Sequence, residues 1–246
     1  MSSDPVRKNL SFDNLSSGKL SSDKLGMTVH PTAIHPSAII DPQAKVPASC
    51  KVGPYCVIGP EVELGENCHL VSHVAIEGPA KIGSDNSFFP FAAIGMDPQD
   101  VTYKGEPTRL EIGDHCMLVN GATLAGHVTV EEWAVVGALC PVHQFVRIGA
   151  HSYIGGGTTI TQDVLPFSMT SAARDTHAYG MNKVGLERRG FSSERIRKIH
   201  HAYKILLASK MNTSQALEKM KAEADNGEDV EMLIRFIEES ERGIIK

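Results

Sequence analysis

The sequence is poor in aromatic residues and has no long apolar run. Phe, Trp and Tyr make up 6% of its 246 residues, and a single Trp is present. No stretch approaches the roughly 18 consecutive apolar residues that a transmembrane helix needs. The positive charges near the N-terminus are not followed by the apolar segment of a secretory signal. We therefore expect a cytoplasmic protein without a transmembrane segment.

A strong excess of one charge is also missing. The formal net charge is −5, and the isoelectric point is near 6.1. A protein that binds nucleic acid or an anionic membrane surface through its overall field carries a basic excess. The composition therefore favours neither partner, and no nucleic acid is expected.

The cysteines and histidines lack the spacings of bonded or metal-binding sets. Five Cys are present, an odd number, and none form a C-x-x-C pair. This argues against a disulfide framework or a zinc site. The histidines that lie outside the motifs described below show no ligand spacing either; they are His30, His35, His69, His73 and His151. No metal site is predicted.

The dominant positive feature is a six-residue period that starts at Ile34. A large apolar residue occupies every sixth position up to Ile94, and the period resumes from Ile112 to Ile160. Six is a multiple of the two-residue period of a strand and not of the helical period. Each short strand therefore turns its large apolar residue to the same inner face. The sequence predicts a parallel β-helix of stacked coils.

Two further positions of the hexad have regular occupants. A small or β-branched residue lies two positions before the large apolar one, and this position is predicted to face inward. All five cysteines occupy it, so we interpret them as core residues: Cys50, Cys56, Cys68, Cys116 and Cys140. Glycine often follows the large apolar residue, where a tight corner favours a residue without Cβ.

The period breaks once, and it stops before the C-terminus. Residues 96–108 are polar and rich in Pro and Gly, which predicts an extruded loop that either carries binding groups or is a tolerated insertion. The Ser-rich residues 1–26 are predicted to be a disordered leader, residues 27–165 the β-helix and 166–191 a connector. Residues 192–246 show three apolar helical faces and a capping-box pair, Asn212 and Gln215. These helices would cap the rod or pack on a neighbouring subunit.

Six motifs, in this order, carry a resemblance to a known family. They are VHPTAI at 29–34, QD at 99–100 with GEPTR at 105–109, NGATLAGHV at 120–128, ALCPVHQF at 138–145, GLERRGF at 185–191 and RGIIK at 242–246. From about residue 29 to the C-terminus the sequence resembles the UDP-N-acetylglucosamine acyltransferases. Related hexapeptide acyltransferases share the repeat without this set of motifs.

The resemblance implies a fold and a reaction. It implies a left-handed parallel β-helix, a homotrimer and active sites between subunits. In lipid A synthesis the family transfers an acyl chain, often 3-hydroxylated, to the 3-hydroxyl of UDP-N-acetylglucosamine. The donor is a phosphopantetheine thioester on acyl carrier protein, and no other cofactor is implied.

Residue roles follow by matching the motifs. Gly126 would donate its N–H to the oxyanion, His127 and His143 would line the sugar and acyl cleft, and Gln144 would meet the uridine. Because His127 and His143 are 16 residues apart, close to one 18-residue coil, they could approach each other on successive coils. Arg188 and Arg189 would contact phosphates or acyl carrier protein. The remaining substrate-binding candidates are Gln99, Asp100 and Asn182.

The sequence departs from the family pattern at the general base. Family members carry about forty further residues, a little over two coils of 18, between the turn at 111–114 and the Ala-Gly-His coil. Their catalytic histidine lies about one coil before the Ala-Gly-His histidine. In this sequence that position falls near Thr108, and no histidine is present there. His115 is the nearest histidine but belongs to another corner of the coil, so His127 is the candidate surrogate. A loop lysine of the family is replaced by Thr102, with Lys104 close by.

Three hypotheses remain open from the sequence. The chain is a working acyltransferase, a relative that binds nucleotide sugar or carrier protein without catalysis, or a structural trimeric solenoid. The motif residues argue against the third, because a structural solenoid needs none of them. The absent base separates the first two, since loss of a general base costs about 10²–10⁴ in rate.

Overall fold

The computed structural model describes residues 33–96, 103–105, 108–172, 176–208, 211–223 and 227–245. All of them belong to one compact unit, Ala33–Lys246. The predicted disordered leader, most of the predicted loop 96–108, and with it Gln99 and Asp100, lie outside the described residues.

The described chain begins as a rod of about seven coils, whose short strands form three parallel sheets. Sheet A contains β2 (Lys51–Val52), β5 (His69–Leu70), β8 (Ser87–Phe88), β11 (Met117–Leu118), β14 (Val135–Val136), β17 (Tyr153–Ile154), β18 (Ser168–Ala172) and the antiparallel β19 (Thr176–Met181). Sheet B contains β1 (Ile39–Ile40), β3 (Val57–Ile58), β6 (Ala75–Ile76), β9 (Ala93–Ile94), β12 (Thr123–Leu124) and β15 (Pro141–Val142). Sheet C contains β4 (Val62–Leu64), β7 (Ala80–Ile82), β10 (Leu110–Ile112), β13 (Thr129–Val130) and β16 (Arg147–Ile148).

The strand register confirms both the period and its single interruption. Ile58 pairs with Ile76, and Ile112 with Val130, so successive coils are 18 residues apart. Across the break, Ile82 pairs with Ile112, a separation of 30 residues. Twelve residues therefore lie outside the repeat, and the rod continues in phase on both sides of them. The three sheets are joined by three columns of corners, which we name AB, BC and CA after the sheets they connect.

The predicted inward residues form the core of the rod. From Val52 to Ile160 the large apolar positions are buried, and so are all five cysteines. Burial raises the pKa of the Cys68 thiol to about 11 and that of Cys116 to about 12, so these thiols stay protonated at neutral pH. The first coil differs, because Ile34 is exposed at the open end of the rod and Ile40 and Val46 are only partly buried.

The corners correct the interpretation of the glycines. Eight of the nine predicted corner glycines do not have left-handed backbone conformations; Gly95 alone among them does. The left-handed position lies two residues later, where thirteen non-glycine residues have φ between 51° and 66°. Many of these are aromatic or His. The glycine is required for another reason: at Gly53 an added Cβ would lie 1.8 Å from the carbonyl oxygen of Val71 in the next coil. Close stacking of coils, and not backbone handedness, selects glycine there.

The C-terminal part closes the far end of the rod. Helices α1 (Lys183–Arg188), α2 (Ser193–Tyr203), α3 (Thr213–Lys221) and α4 (Gly227–Glu238) follow the β18–β19 hairpin, and a π-helical turn, Lys204–Ala208, extends α2. The hairpin and α1 lie in the predicted connector. The predicted capping box of Asn212 and Gln215 is present at α3. Tyr203 donates a 2.5 Å hydrogen bond to the carbonyl of Pro166, and Leu165 and Phe167 pack among the helices. The helices therefore cap the rod.

Two glycines at the same hexad position should respond differently to alanine. Gly53→Ala is expected to lower the free energy of unfolding by about 1–3 kcal/mol, because its Cβ meets backbone that must shift. Gly59→Ala is the matched control, since its Cβ would lie 3.4 Å from the nearest atom, and a change under about 1 kcal/mol is expected. Urea unfolding measures both. Equal losses would contradict the close-stacking explanation.

Candidate functional site

The Ala-Gly-His motif lies at the BC corner between β12 and β13. Gly126 is buried directly against Thr108, one coil earlier: a Cβ on Gly126 would lie 3.3 Å from Thr108 Cβ. Thr108 is itself 8% exposed. Thr108 therefore lies one coil before the Ala-Gly-His motif at the same corner, and a threonine side chain packs against Gly126.

His127 and the residues of the next coil share this corner. The His127 ring stacks on Phe145, with centroids 4.5 Å apart and planes within 6°. His143 and Gln144 precede Phe145, and His143 Nδ1 lies 3.1 Å from the Gln144 carbonyl oxygen. The structure thus brings His127 and His143 to successive coils of one corner, as predicted. The ring stacked on His127 is nevertheless that of Phe145, which the sequence interpretation missed.

The break in the repeat lies at the same corner. β9 ends at Ile94 in sheet B, and β10 begins at Leu110 in sheet C, so the two strands on either side of the break also flank the BC column. The second strand belongs to the coil of Thr108, immediately before that of Gly126. Gln99 and Asp100 fall between the two strands in the sequence and lie outside the described residues.

Asn182 and Arg189 lie at the CA corner instead. Asn182 caps α1: its Oδ1 accepts a hydrogen bond from Gly185 N at 3.2 Å, and its Nδ2 donates to the His151 carbonyl at 3.2 Å. Arg189 Nη2 donates to the Trp133 carbonyl at 2.9 Å, with the guanidinium 5.4 Å from the Trp133 ring centroid. Both side chains thus dock α1 on the rod. Arg188, in the last turn of α1, is exposed.

Burial shapes the electrostatics of this corner. Burial and, to a smaller extent, the positive charge of Arg189 lower the pKa of the His151 imidazole to about 4. Burial also lowers the pKa of the Arg189 guanidinium. Nη1 of Arg189 and Nδ1 of His151 are buried without a hydrogen-bond partner in the described structure. The corner therefore holds the partly buried Arg189 guanidinium, whose Nη1 donor has no hydrogen-bond partner, next to the neutral His151.

A further histidine of the CA corner was set aside in the sequence interpretation. His115 stacks on Trp133 at 4.1 Å, and its Nδ1 lies 3.9 Å from Asp85 Oδ2. The structure confirms that it belongs to a different corner from His127. The signal that would have grouped these residues is the left-handed hexad position, which holds Asp85, His115 and Trp133 one coil apart.

The candidate residues of one chain therefore form two groups. Gly126, His127, His143 and Gln144 occupy the BC corner, whereas Asn182 and Arg189 occupy the CA corner, across sheet C. Within the ranges that the structure describes, no three His, Cys, Asp or Glu side chains are placed to hold a metal ion. In the same ranges no helix is long and apolar enough to cross a membrane.

Comparison with known proteins identifies the family. A family profile described as UDP-N-acetylglucosamine O-acyltransferase, domain 2, matches residues 163–245. LpxA of Acinetobacter baumannii is 34% identical; the match covers 87% of this chain and all of that chain, with a TM-score of 0.64. The chain belongs to the UDP-N-acetylglucosamine O-acyltransferase family. The Francisella novicida UDP-N-acetylglucosamine acyltransferase is 33% identical over 86% of this chain and 93% of its own, with a TM-score of 0.63.

Membership confirms two predictions made from the motifs. The family resemblance is correct, and the fold is the left-handed parallel β-helix of these acyltransferases with helices at its C-terminus. It also establishes the O-acyltransferase class.

Substitution of the two neighbouring arginines, one at the end of α1 and one just after it, should change the free energy of unfolding by different amounts. Arg189→Ala removes a buried hydrogen bond and a ring contact, and we expect the free energy of unfolding to fall by about 1–3 kcal/mol. Arg188→Ala is the matched control at an exposed position, with an expected change within about 0.5 kcal/mol. Denaturant unfolding of both variants checks this. A larger loss for Arg188→Ala would contradict the docking role of Arg189.

Proposed function

We propose that this chain transfers an acyl group, in particular a 3-hydroxyacyl group, from acyl carrier protein to the 3-hydroxyl of UDP-N-acetylglucosamine in lipid A synthesis, with a cytoplasmic location. One observation carries the proposal. The motif residues at 126–127 and 143–144 lie on successive coils of the BC corner, which the strands on either side of the break in the repeat also flank. A solenoid with only a structural role has no need of this cluster.

The chemistry assigns a role to each group. The sugar oxygen attacks the thioester carbonyl carbon, a C–O bond forms, and the C–S bond breaks. The Gly126 N–H would stabilise the oxyanion that develops on the carbonyl oxygen. A base must accept the hydroxyl proton, which then passes to the leaving thiolate. Thr108 cannot serve, because a threonine hydroxyl is not a base near neutral pH.

His127 is the candidate base within the BC corner of the same chain. Its ring is half-buried under Phe145 and lies at the corner that carries Gly126. His143 and Gln144, one coil later, would bind the sugar and the uridine. If His127 is the base, His127→Ala abolishes transfer and largely keeps binding; a base from elsewhere leaves transfer in place.

Assembly into a homotrimer is part of the proposal. The BC group and the CA group of one chain are separated by a face of the rod, so one chain does not bring both to one ligand. Between two chains, the BC corner of one and the CA corner of the next can line a shared cleft. Arg188 and Arg189 would then meet the phosphates or the carrier protein, and the buried Nη1 of Arg189 has a donor left for that contact.

A second candidate function is binding without efficient transfer. The observation that favours it is Thr108 beneath Gly126, because binding needs only hydrogen bonds and charge complementarity, whereas attack needs a proton acceptor. Such a chain would still bind UDP-N-acetylglucosamine or its acylated product.

An acyl-transfer assay distinguishes the two functions. We expect the chain to bind UDP-N-acetylglucosamine and to transfer acyl chains from carrier-protein thioesters more slowly than the Acinetobacter baumannii enzyme. His143→Ala and Gln144→Ala should weaken binding measured by calorimetry. If a confirmed trimer shows no binding and no transfer at millimolar ligand, the acyltransferase proposal is refuted. Binding with no transfer would favour the second function.

Restoring a base at the vacated position provides a gain-of-function test. Thr108→His places an imidazole one coil before Gly126, where the family has its catalytic histidine, and transfer should rise about 10²-fold or more in a chain that has no other base. Thr108→Gln is the control, because it fills the space without a proton acceptor. An unchanged rate in a folded Thr108→His trimer would show that the missing histidine is not what limits the reaction.

A further inference from the structure

The three outer faces of the rod differ in charge. Outward residues of sheet C are mainly charged: Lys45, Glu63, Lys81, Glu111, Thr129 and Arg147. Outward residues of sheet B carry no ionisable group: Ile39, Val57, Ala75, Ala93, Thr123 and Pro141. Those of sheet A are Lys51, His69, Ser87, Met117, Val135, Tyr153 and Met169. Sheet B thus presents an uncharged face, sheet A carries Lys51 and His69 in its first coils and no ionisable group but Tyr153 beyond them, and sheet C is mainly charged.

The AB corner, between sheets A and B, carries aromatic and apolar side chains. Tyr55, His73 and Phe91 stack along it with centroids about 5 Å apart. Phe91 is 66% exposed, and Leu139, further along the same corner, is 71% exposed. An apolar surface of this length marks a protein interface. Sheet B presents no ionisable side chain, and the charged or titratable side chains of sheet A, Lys51 and His69, lie in its first coils. The surface that fits sheet B is therefore sheet A of another copy of this chain.

This packing determines which corners meet. Rods that turn their AB corners towards a common axis place sheet B of one chain beside sheet A of the next. The BC corner of one chain then faces the CA corner of its neighbour. Rotation about an axis parallel to the rods also keeps equivalent coils at equal height. Each residue of the BC corner therefore faces the CA residue of the same coil.

The coil of Thr108 presents a histidine at its CA corner. Thr108 precedes β10 and His115 follows it, so the two lie in one coil on either side of sheet C. The His115 side chain is 39% exposed, and its ring is held by the stack on Trp133. Asp85 lies beside Nδ1, which leaves Nε2 for a ligand. His115 thus belongs to the same coil as Thr108, the position at which the BC corner lacks the family's basic histidine.

We propose that His115 of the neighbouring chain is the general base of this enzyme, replacing the histidine absent at Thr108. Nε2 takes the proton of the sugar hydroxyl as its oxygen forms the ester bond, and the imidazolium returns the proton to the departing thiolate. Asp85, whose carboxylate lies 3.9 Å from Nδ1, is a positioning residue that would attract the imidazolium through its charge. The inference rests on the proposed function and assigns a base to it from the neighbouring subunit.

Single substitutions give the first test. His115→Gln should lower kcat at least about 100-fold while trimer mass and the KM for UDP-N-acetylglucosamine are kept. Asp85→Asn should lower kcat by a smaller factor and leave KM unchanged. Loss of structure would not lower kcat alone in this way. His35→Gln, in the first coil, is the control and should leave kcat unchanged. An unaltered kcat in His115→Gln would overturn the proposal.

The Thr108→His background makes the test specific. A base restored within the chain should make His115 dispensable, so adding His115→Gln to Thr108→His should change kcat less than about threefold, against at least about 100-fold in the natural sequence. Equal losses in both backgrounds would show that His115 acts through the structure. They would overturn its assignment as base.

Mixed trimers test the contribution across the interface. One chain carries His115→Gln, and the other carries His143→Ala with Gln144→Ala; each alone should be nearly inactive. Random mixing in equal amounts leaves about a quarter of the clefts with both intact halves, so about a quarter of the natural activity should return. No recovery from a mixture shown to contain mixed trimers would contradict a base supplied in trans.

The outcomes separate this inference from the proposed function. If Thr108→His is active but the natural chain is not, the acyltransferase proposal stands and His115 is not a base. If both bind nucleotide sugar and neither transfers, the acyltransferase proposal itself fails.

Discussion

The stacking of 18-residue coils is the constraint on which the rest of the structure depends. Each coil buries its large and small apolar residues against those of the next, and the strands of the rod up to β17 pair in parallel with strands of the neighbouring coils. Since side chains along a corner repeat at every coil, a residue's position in the hexad decides which neighbours it meets. The closeness of Gly126 and Thr108, and the stack of His127 on Phe145, are direct results of this spacing.

The hexad pattern predicted the fold from sequence because burial enforces it. The inward residues, the cysteines and the in-phase continuation across the loop follow from one periodic requirement. The left-handed corner position was missed, because its occupants vary from Tyr55 to Asp85 and share a backbone angle and not a chemistry. The glycine two residues before it was recognised as a position that favours a residue without Cβ. Its cause is contact between coils, which a linear pattern does not display.

The candidate site was predictable in part. Motif matching placed Gly126, His127, His143 and Gln144 together, and the register shows them on successive coils of one corner. It did not show that Asn182 and Arg189 belong to another corner, because their placement depends on how α1 docks on Trp133 and His151. Nor did it reveal that Asp85 lies beside His115, since the two are thirty residues apart and meet only because a loop is excluded from the coil.

We infer that a ligand contacts the BC corner of one chain and the CA corner of the next. An experimental structure of the assembly with UDP-N-acetylglucosamine bound tests this directly. We expect a trimer with its AB corners turned inward, and a sugar that lies between Gly126 of one chain and His115 of its neighbour. A ligand bound by a single chain, or a trimer that turns its charged C sheets inward, would contradict it.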